Sequence, residues 1–331
     1  MEVKKKNTDV ILEVKNIKKH FDLSTSKLTK NKRVLRAVDR VDLEIIKGET
    51  LGIVGESGCG KSTLGNVIVD LLSPTEGEVN FEKQNVHTLP KKDKRKMRKN
   101  IQMIFQDPFS SLNPRMKVFD IIAEPLKTHQ VQSGKALKKE VEHLLDVVGL
   151  DKSMASRFPH EFSGGQRQRI GIARAIALKP KLIVCDEPTS ALDVSIQSQI
   201  LNLLKELQNE FDLTFMFIGH GLSAVKFISD RIAVMYLGKI VEVADKGRLF
   251  DETMHPYTDA LLKSIPISNP NERGMENKVN IKGEIPNPEN PPTGCPFHTR
   301  CPIAQDKCKE IVPRLDTRKE GHQVACHYPL R

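Results

Sequence analysis

Apolar residues along this chain fall into two alternating textures. Short unbroken runs, Leu51–Val54 (LGIV) and Leu182–Cys185 (LIVC), predict strands buried on both faces. Other segments repeat their apolar positions every three or four residues and predict amphipathic helices. Val141, Leu144, Leu145 and Val148 form one such stripe, ended by Gly149. Ile196, Ile200, Leu203, Leu204, Leu207 and Phe211 form a second, expected to pack on the sheet. Leu64, Val67, Ile68 and Leu71 form a third, soon after the first strand. Near the amino terminus VILEVKN (10–16) and VDLEI (41–45) read as antiparallel strands. The predicted class is α/β.

A different texture begins after Val243. HPYTDALLKSIP (255–266) predicts a short helix closed by proline, and residues 270–292 are polar and proline-rich, as in a linker. The expected organisation is a large unit over residues 1–250 and a small irregular extension over 251–331. At 331 residues the chain is long enough for both.

Composition narrows the setting. Hydrophobic residues make up 38% of the chain, and no stretch approaches the ~20 consecutive apolar residues of a bilayer span. The start, MEVKKKNTDVILEV, has lysines but no apolar core or cleavage site, so secretion is not expected. In a reducing compartment the six cysteines are poor candidates for disulfides. Net charge is +10, and Lys91–Lys99 (KKDKRKMRK) holds seven basic residues in nine. Nucleic acid or anionic lipid is one reading of that run. A solvated helix face is favoured, because no aromatic residue interleaves the charges.

Candidate chemistry follows the two strands. After Leu51–Val54 comes GESGCGKST, in which Gly55, Gly60, Lys61 and Ser62 match G-x-x-x-x-G-K-[ST]. Glycines let the backbone of Gly55, Glu56, Ser57, Gly58, Cys59, Gly60, Lys61, Ser62 and Thr63 curl so that N–H groups converge on phosphate oxygens. Lys61 would reach the β- and γ-phosphates, and Ser62 would ligate Mg²⁺. The second strand ends on Asp186, suited to Mg²⁺, and Glu187, suited to polarise the water that attacks the γ-phosphate. Cys185 reads as a small buried apolar residue. In FSGGQRQRIGIARAI (162–176) Ser163 can cap a helix whose first residues, Gly164 and Gly165, leave N–H groups uncovered, with Gln166 following. A second anion cradle for one ligand suggests that the two cradles come from different subunits.

SGGQ between a phosphate loop and an L-I-V-C-D-E strand resembles the ATP-binding cassette of ABC transporters. That resemblance implies a P-loop nucleotide-binding domain with an antiparallel β subdomain and a helical subdomain, here about residues 107–162. It implies that Gln106 senses Mg²⁺ and the attacking water, that Asp193 crosses a dimer interface, and that His220 contacts the γ-phosphate. Phe21 is either the aromatic that stacks on adenine or an ordinary phenylalanine. Phe162 stands where the family usually has leucine, and Gly221 follows His220 where aspartate is common. HPYT-x-A-L-L, NPPTGCPFHTRCPIA and FQDPFSSLNPR extend the likeness to the oligopeptide/dipeptide importer ATPases, best to their F-type subunit. This implies a peripheral protein on the cytoplasmic face of the membrane, with ATP and Mg²⁺. The implied partners are a related second ATPase (a heterodimer), two permease subunits and an extracytoplasmic peptide-binding protein, with no nucleic acid. Nickel or a metal chelate is the alternative cargo, and a soluble ABC ATPase acting on nucleic acid or ribosomes is the more distant one.

Four of the six cysteines, Cys295, Cys301, Cys308 and Cys326, crowd into the extension with gaps of five, six and seventeen residues. Four thiolates suffice for one metal site, and the absence of paired C-x₂-C knuckles favours a [4Fe-4S] cluster over zinc, as does the resemblance. His298, His322 and His327 could substitute as ligands but are expected in solvent or behind the ligands. A metal centre would let an extension too poor in apolar residues to build a core fold nonetheless.

Overall fold

The structure is a computed structural model and describes residues 9–23, 33–264 and 283–330. Residues 24–32 and much of the proline-rich linker fall outside the described residues. Strands are β1 (Val10–Asp22), β2 (Val34–Ile46), β3 (Thr50–Val54), β4 (Glu76–Phe81), β5 (Gln84–Asn85), β6 (Ile101–Ile104), β7 (Leu182–Asp186), β8 (Thr214–Ile218), β9 (Arg231–Tyr236), β10 (Lys239–Asp245), β11 (Asp316–Lys319) and β12 (His322–Val324). Helices are α1 (Lys61–Ile68), α2 (Lys91–Asn100), α3 (Pro108–Ser111), α4 (Val118–Thr128), α5 (Gly134–Val147), α6 (Gly164–Ile176), α7 (Val194–Phe211), α8 (Leu222–Ile228), α9 (Lys246–Asp251), α10 (Pro256–Lys263) and α11 (Asp306–Glu310). The chain forms two compact units that interleave along the sequence.

The first unit comprises Ile46–Thr50 and Thr88–Gly219, with the first residues of β1. Its strands run parallel in the order β6-β7-β8, Ile183 facing Gln102 on one side and Phe215 on the other. Every residue of β7 and β8 is buried, as a strand covered on both faces requires. Helix α7 buries Ile200, Leu203, Leu204 and Leu207, the centre of the predicted stripe, while its ends, Ile196 and Phe211, are only half-buried. Helices α3, α4 and α5 with two short 3₁₀ turns fill residues 108–161. Helix α5 ends where Gly149, at φ 70°, allows Leu150 N–H to reach back to Leu145 O. The basic run forms α2, which buries only Met97. That is the solvated face expected from its charge.

The second unit holds Leu12–Ile45, Leu51–His87 and the chain from His220 onward. One sheet has the order β2-β1-β4-β5, with β1 antiparallel to β4. In another, β3 lies parallel to β9, β9 antiparallel to β10, and β10 antiparallel to β12. Gly52 on β3 has no room for a side chain, since a Cβ would collide with Val225 and Ser229. Helix α1 stops at Ile68, so Leu71 is 57% exposed and does not extend the predicted stripe. The chain turns at Asp70, whose φ of 59° ends the helical path.

The extension also departs from expectation. Its strand β12 adds to β10, with Val324 facing Glu242. Its Phe297 is fully buried, with ring centroids 5.3 Å from Tyr236 and 5.4 Å from Tyr257. The tail thus shares a core with the strands before it, which the polar linker hid. His322 is neither in solvent nor behind a metal ligand. It and Glu242 are both 0% exposed, 2.7 Å apart, and Glu242 also accepts the N–H groups of Met254 and His255.

Candidate functional site

The loop after β3 is shaped by its glycines. A Cβ at Gly55 would strike the main-chain oxygen of Met235, and one at Gly60 that of Ala37. Gly60, at φ 108°, opens α1, and Gly238 N–H donates to Cys59 O over 2.9 Å. Inside the curl the Lys61 ammonium donates to Gly55 O at 2.8 Å and Glu56 O at 3.1 Å. These carbonyls hold the buried cation until a polyanion offers stronger acceptors. The Cys59 sulfur lies 3.9 Å from the Lys61 nitrogen, and burial pushes its thiol above the usual range.

Two contacts on this loop come from residues with no sequence signal. Glu56 N–H donates to the Tyr257 hydroxyl over 2.9 Å. Both Glu56 carboxylate oxygens accept from the Arg300 guanidinium, at 2.8 and 2.9 Å. That carboxylate holds Arg300 well above its ordinary range. Arg300 stands inside the cysteine motif and Tyr257 inside HPYT, so spacing alone associates neither with a phosphate loop.

In the other unit β7 ends on buried Asp186, followed by Glu187 at φ 45°. Glu187 N–H donates to Ile218 O, and the Gln106 side-chain amide donates to the Glu187 carboxylate, each over 2.9 Å. Helix α6 begins with reciprocal caps: the Ser163 hydroxyl accepts Gln166 N–H at 3.3 Å, and the Gln166 side-chain oxygen accepts Ser163 N–H at 3.0 Å. Gly165 faces Ile196, where a Cβ would come within 2.6 Å. Asp193 precedes α7 on the surface. His220 is exposed just before Gly221, and Phe21 is half-buried on β1 with the Lys19 ammonium 5.0 Å from its ring centre.

The four tail cysteines meet. All are free thiols, and they line one cavity of ≈ 10 Å³ together with His255, Phe297 and Tyr328. That is the room of about one water-sized sphere. Burial, with Cys326, Cys308 and Cys301 adding, pushes the Cys295 thiol up to about 12. Burial likewise pushes Cys326 up to about 11. Burial raises the Cys301 thiol too, and thiols raised in this way stay protonated unless a cation compensates them. Among the described residues, however, no three histidine, cysteine, aspartate or glutamate side chains are arranged so as to hold a metal ion. The four cysteines expected to bind a metal therefore share one cavity but do not form the geometry of a ligand cage. His298 and His327 bond to main-chain oxygens of Cys295 and Ile311, each over 2.8 Å.

The architecture is shared with solved ATP-binding cassettes. The chain superposes on the dimeric cassette MJ0796 in a post-hydrolysis state bound to ADP and Pi, with TM-score 0.63 and 31% identity, covering 71% of this chain and 98% of that one. Fold and phosphate loop define a cassette ATPase. Residues 38–190 match the ABC transporter family, and residues 241–308 match the oligopeptide/dipeptide transporter C-terminal region. The oligopeptide transport ATP-binding protein AppF of Bacillus subtilis is 52% identical over 97% of this chain and 98% of its own length. OppF of Salmonella typhimurium is 48% identical over 96% of each. The di/tripeptide transport protein DppF of Pseudomonas aeruginosa is 43% identical over 97% of this chain and 98% of its own. The chain belongs to the ABC transporter family, among the ATP-hydrolysing subunits of its oligopeptide/dipeptide branch.

Proposed function

We propose that the chain powers import of short peptides, working at the cytoplasmic face of a membrane permease. Among the described residues no helix is long and apolar enough to cross a membrane, so the path for the cargo belongs to other chains. The observation that carries the catalytic reading is the Gln106–Glu187 hydrogen bond, which fixes a carboxylate at the end of a buried parallel strand. Glu187 then aligns and deprotonates the attacking water. The backbone from Gly55 to Thr63 wraps the phosphates, with Lys61 leaving its carbonyl acceptors for the β- and γ-oxygens. Phe21 stacks on adenine, and His220 meets the γ-phosphate. Ser62, Gln106 and Asp186 offer hydroxyl, amide and carboxylate oxygens, a hard donor set that fits Mg²⁺. Bound there, Mg²⁺ would neutralise phosphate charge.

The capped start of α6, Ser163 to Gln166, serves the nucleotide of a homologous partner subunit, with Asp193 at that interface. The reading takes residues 1–250 as the cassette and 251–331 as its extension. Two permease subunits and an extracytoplasmic peptide-binding protein complete the assembly. The cysteine cavity is read as a soft-metal site: Cys295, Cys301, Cys308 and Cys326 would hold the group, which would fix the extension's fold. Four sulfurs suit a [4Fe-4S] cluster or zinc, and a cluster requires the cavity walls to part. Iron, sulfide and zinc measured on anaerobically purified protein separate the two, and none of them in stoichiometric amount would remove the metal.

The cargo test is uptake in a strain lacking this chain, supplied with labelled di- to pentapeptides and, separately, radioactive nickel. The expected result is lost peptide uptake, restored by the wild-type chain and not by Lys61→Ala. Lost nickel uptake with normal peptide uptake would keep the machine and change the cargo.

A further inference from the structure

Glu56 is held from two directions by residues of the extension. Its N–H points to the Tyr257 hydroxyl, and its carboxylate meets the Arg300 fork in a bidentate pair. The Arg300 side chain is 6% exposed and that of Glu56 22%. Arg300 also donates to the Tyr236 hydroxyl over 3.3 Å. A tight turn carries this arginine: His298 N–H donates to Cys295 O, and Arg300 N–H to Phe297 O. The turn begins at one cavity cysteine, Cys295, and runs into another, Cys301. Phe297 anchors it among Tyr236, Tyr257 and His255.

Glu56 is a poor residue to place beside a triphosphate. It follows the first glycine of the loop, and an unpaired carboxylate there repels the ligand the loop collects. A bidentate arginine cancels the charge and fixes its direction. The tyrosine hydroxyl meanwhile fixes the first turn of the loop's backbone. Both anchors belong to the segment that follows the strands of the cassette.

We infer that Arg300 and Tyr257 are positioning residues of the phosphate loop, through which the four-cysteine segment sets nucleotide affinity. The inference rests on the ATPase reading and adds to it. The extension holds the loop open for phosphate by neutralising Glu56. Whatever loosens the Cys295–Cys301 turn withdraws Arg300 and uncovers a negative charge at the loop.

The test is equilibrium binding of ATP to the full-length chain, with ATP turnover measured in the assembled transporter. Arg300→Ala is expected to weaken ATP binding by roughly tenfold, the order that one unbalanced charge at short range produces. It should raise KM for ATP with kcat changed less than about twofold, as for lost uniform binding. Arg300→Lys, which keeps the charge and loses the fork, should fall between. The deciding variant is Glu56→Gln in the Arg300→Ala background, which should recover most of the lost affinity because it removes the repelling charge. A purely structural arginine gives no such recovery. Tyr257→Phe, which keeps the aromatic packing and folds where Arg300→Ala fails to, should weaken binding by about threefold. Cys301→Ser should weaken ATP binding and be non-additive with Arg300→Ala. Wild-type affinity in Arg300→Ala, or no recovery with Glu56→Gln, overturns the inference. So do wild-type affinity in Tyr257→Phe and full additivity of Cys301→Ser. If the wild-type chain itself binds no ATP, the ATPase reading falls first.

Discussion

The side-chain amide of Gln106 donates to the carboxylate of Glu187 over 2.9 Å, and Glu187 sits at a φ of 45°, in the left-handed region. Non-glycine residues in that region are uncommon and persist where the surroundings hold them. Here Glu187 N–H donates to Ile218 O on the neighbouring strand, and Gln106 holds the other end. Backbone and side chain are both fixed, as the proposed role of aligning a water would require.

Replacing Glu187 by Gln keeps shape and hydrogen-bonding capacity but removes the carboxylate proposed as the base. Steady-state phosphate release is expected to fall by about 10²–10⁴-fold, with ATP binding retained. Turnover within a few-fold of wild type would take Glu187 out of the base role. Gln106→Ala should give a smaller loss, since it frees the carboxylate without deleting it.

Gly221 stands where aspartate is common after the histidine, and its backbone leaves room for that side chain. Its φ is −90° and its ψ 117°, conformations open to any residue, and nothing lies within 4 Å of a Cβ built there. Gly221→Asp should therefore change unfolding free energy by no more than about 0.5 kcal/mol, read by denaturant titration. A larger loss would mean that the aspartate side chain meets a neighbour or charge here that the open space does not indicate.

Cys59 lies within the phosphate loop, yet its reactivity should be low. It is buried, and burial raises its thiol, leaving little thiolate at neutral pH. Iodoacetamide should label it more slowly than an unfolded cysteine, with a rate that climbs about tenfold per pH unit toward the raised pKa. Saturating MgATP should slow it further. Rapid labelling at neutral pH, followed by peptide mass spectrometry, would show that the loop opens far more than its hydrogen bonds suggest.

Much of this was legible in the sequence because local physics decided it. The runs at Leu51 and Leu182 are too short and too apolar to be anything but buried strands. Gly55 and Gly60 of the loop are required by collisions with the main-chain oxygens of Met235 and Ala37 that no side chain could survive. Gln106 and Glu187 were named separately, and their bond needs the parallel pairing of β6 with β7, which no local pattern encodes. Arg300 and Tyr257 were missed for the same reason: Arg300 is 244 residues from Glu56. His322, expected in solvent or behind the ligands, is instead buried against Glu242. The pair is tolerated because the carboxylate accepts three donors at once.

Those three donors make Glu242 a sharp probe of the extension. Glu242→Ala would strand two buried backbone N–H groups and the His322 ring, with an expected cost of about 3 kcal/mol or more. Glu242→Gln, which keeps an acceptor oxygen, should cost clearly less. Thermal unfolding of the two variants at one pH gives the comparison. Equal losses would mean that the volume of the side chain matters and its hydrogen bonds do not.

Removal of the tail carries the same logic further. A chain ending at Ser264 would lose the β12 pairing along Glu242, Val243 and Ala244. It would also expose the faces of Tyr236 and Tyr257 that Phe297 covers. Burial of one phenylalanine contributes about 3 kcal/mol, and an unpaired apolar strand edge invites association. The truncated chain is therefore expected to melt well below the full chain and to aggregate when heated. Phe297→Ala in the full chain should reproduce part of the loss, about 3–5 kcal/mol, while leaving the strand pairing in place. A truncated chain that melts with the wild type, monomeric and monodisperse, would mean that the extension is an appendage and that the shared aromatic core contributes nothing to the strands beneath it.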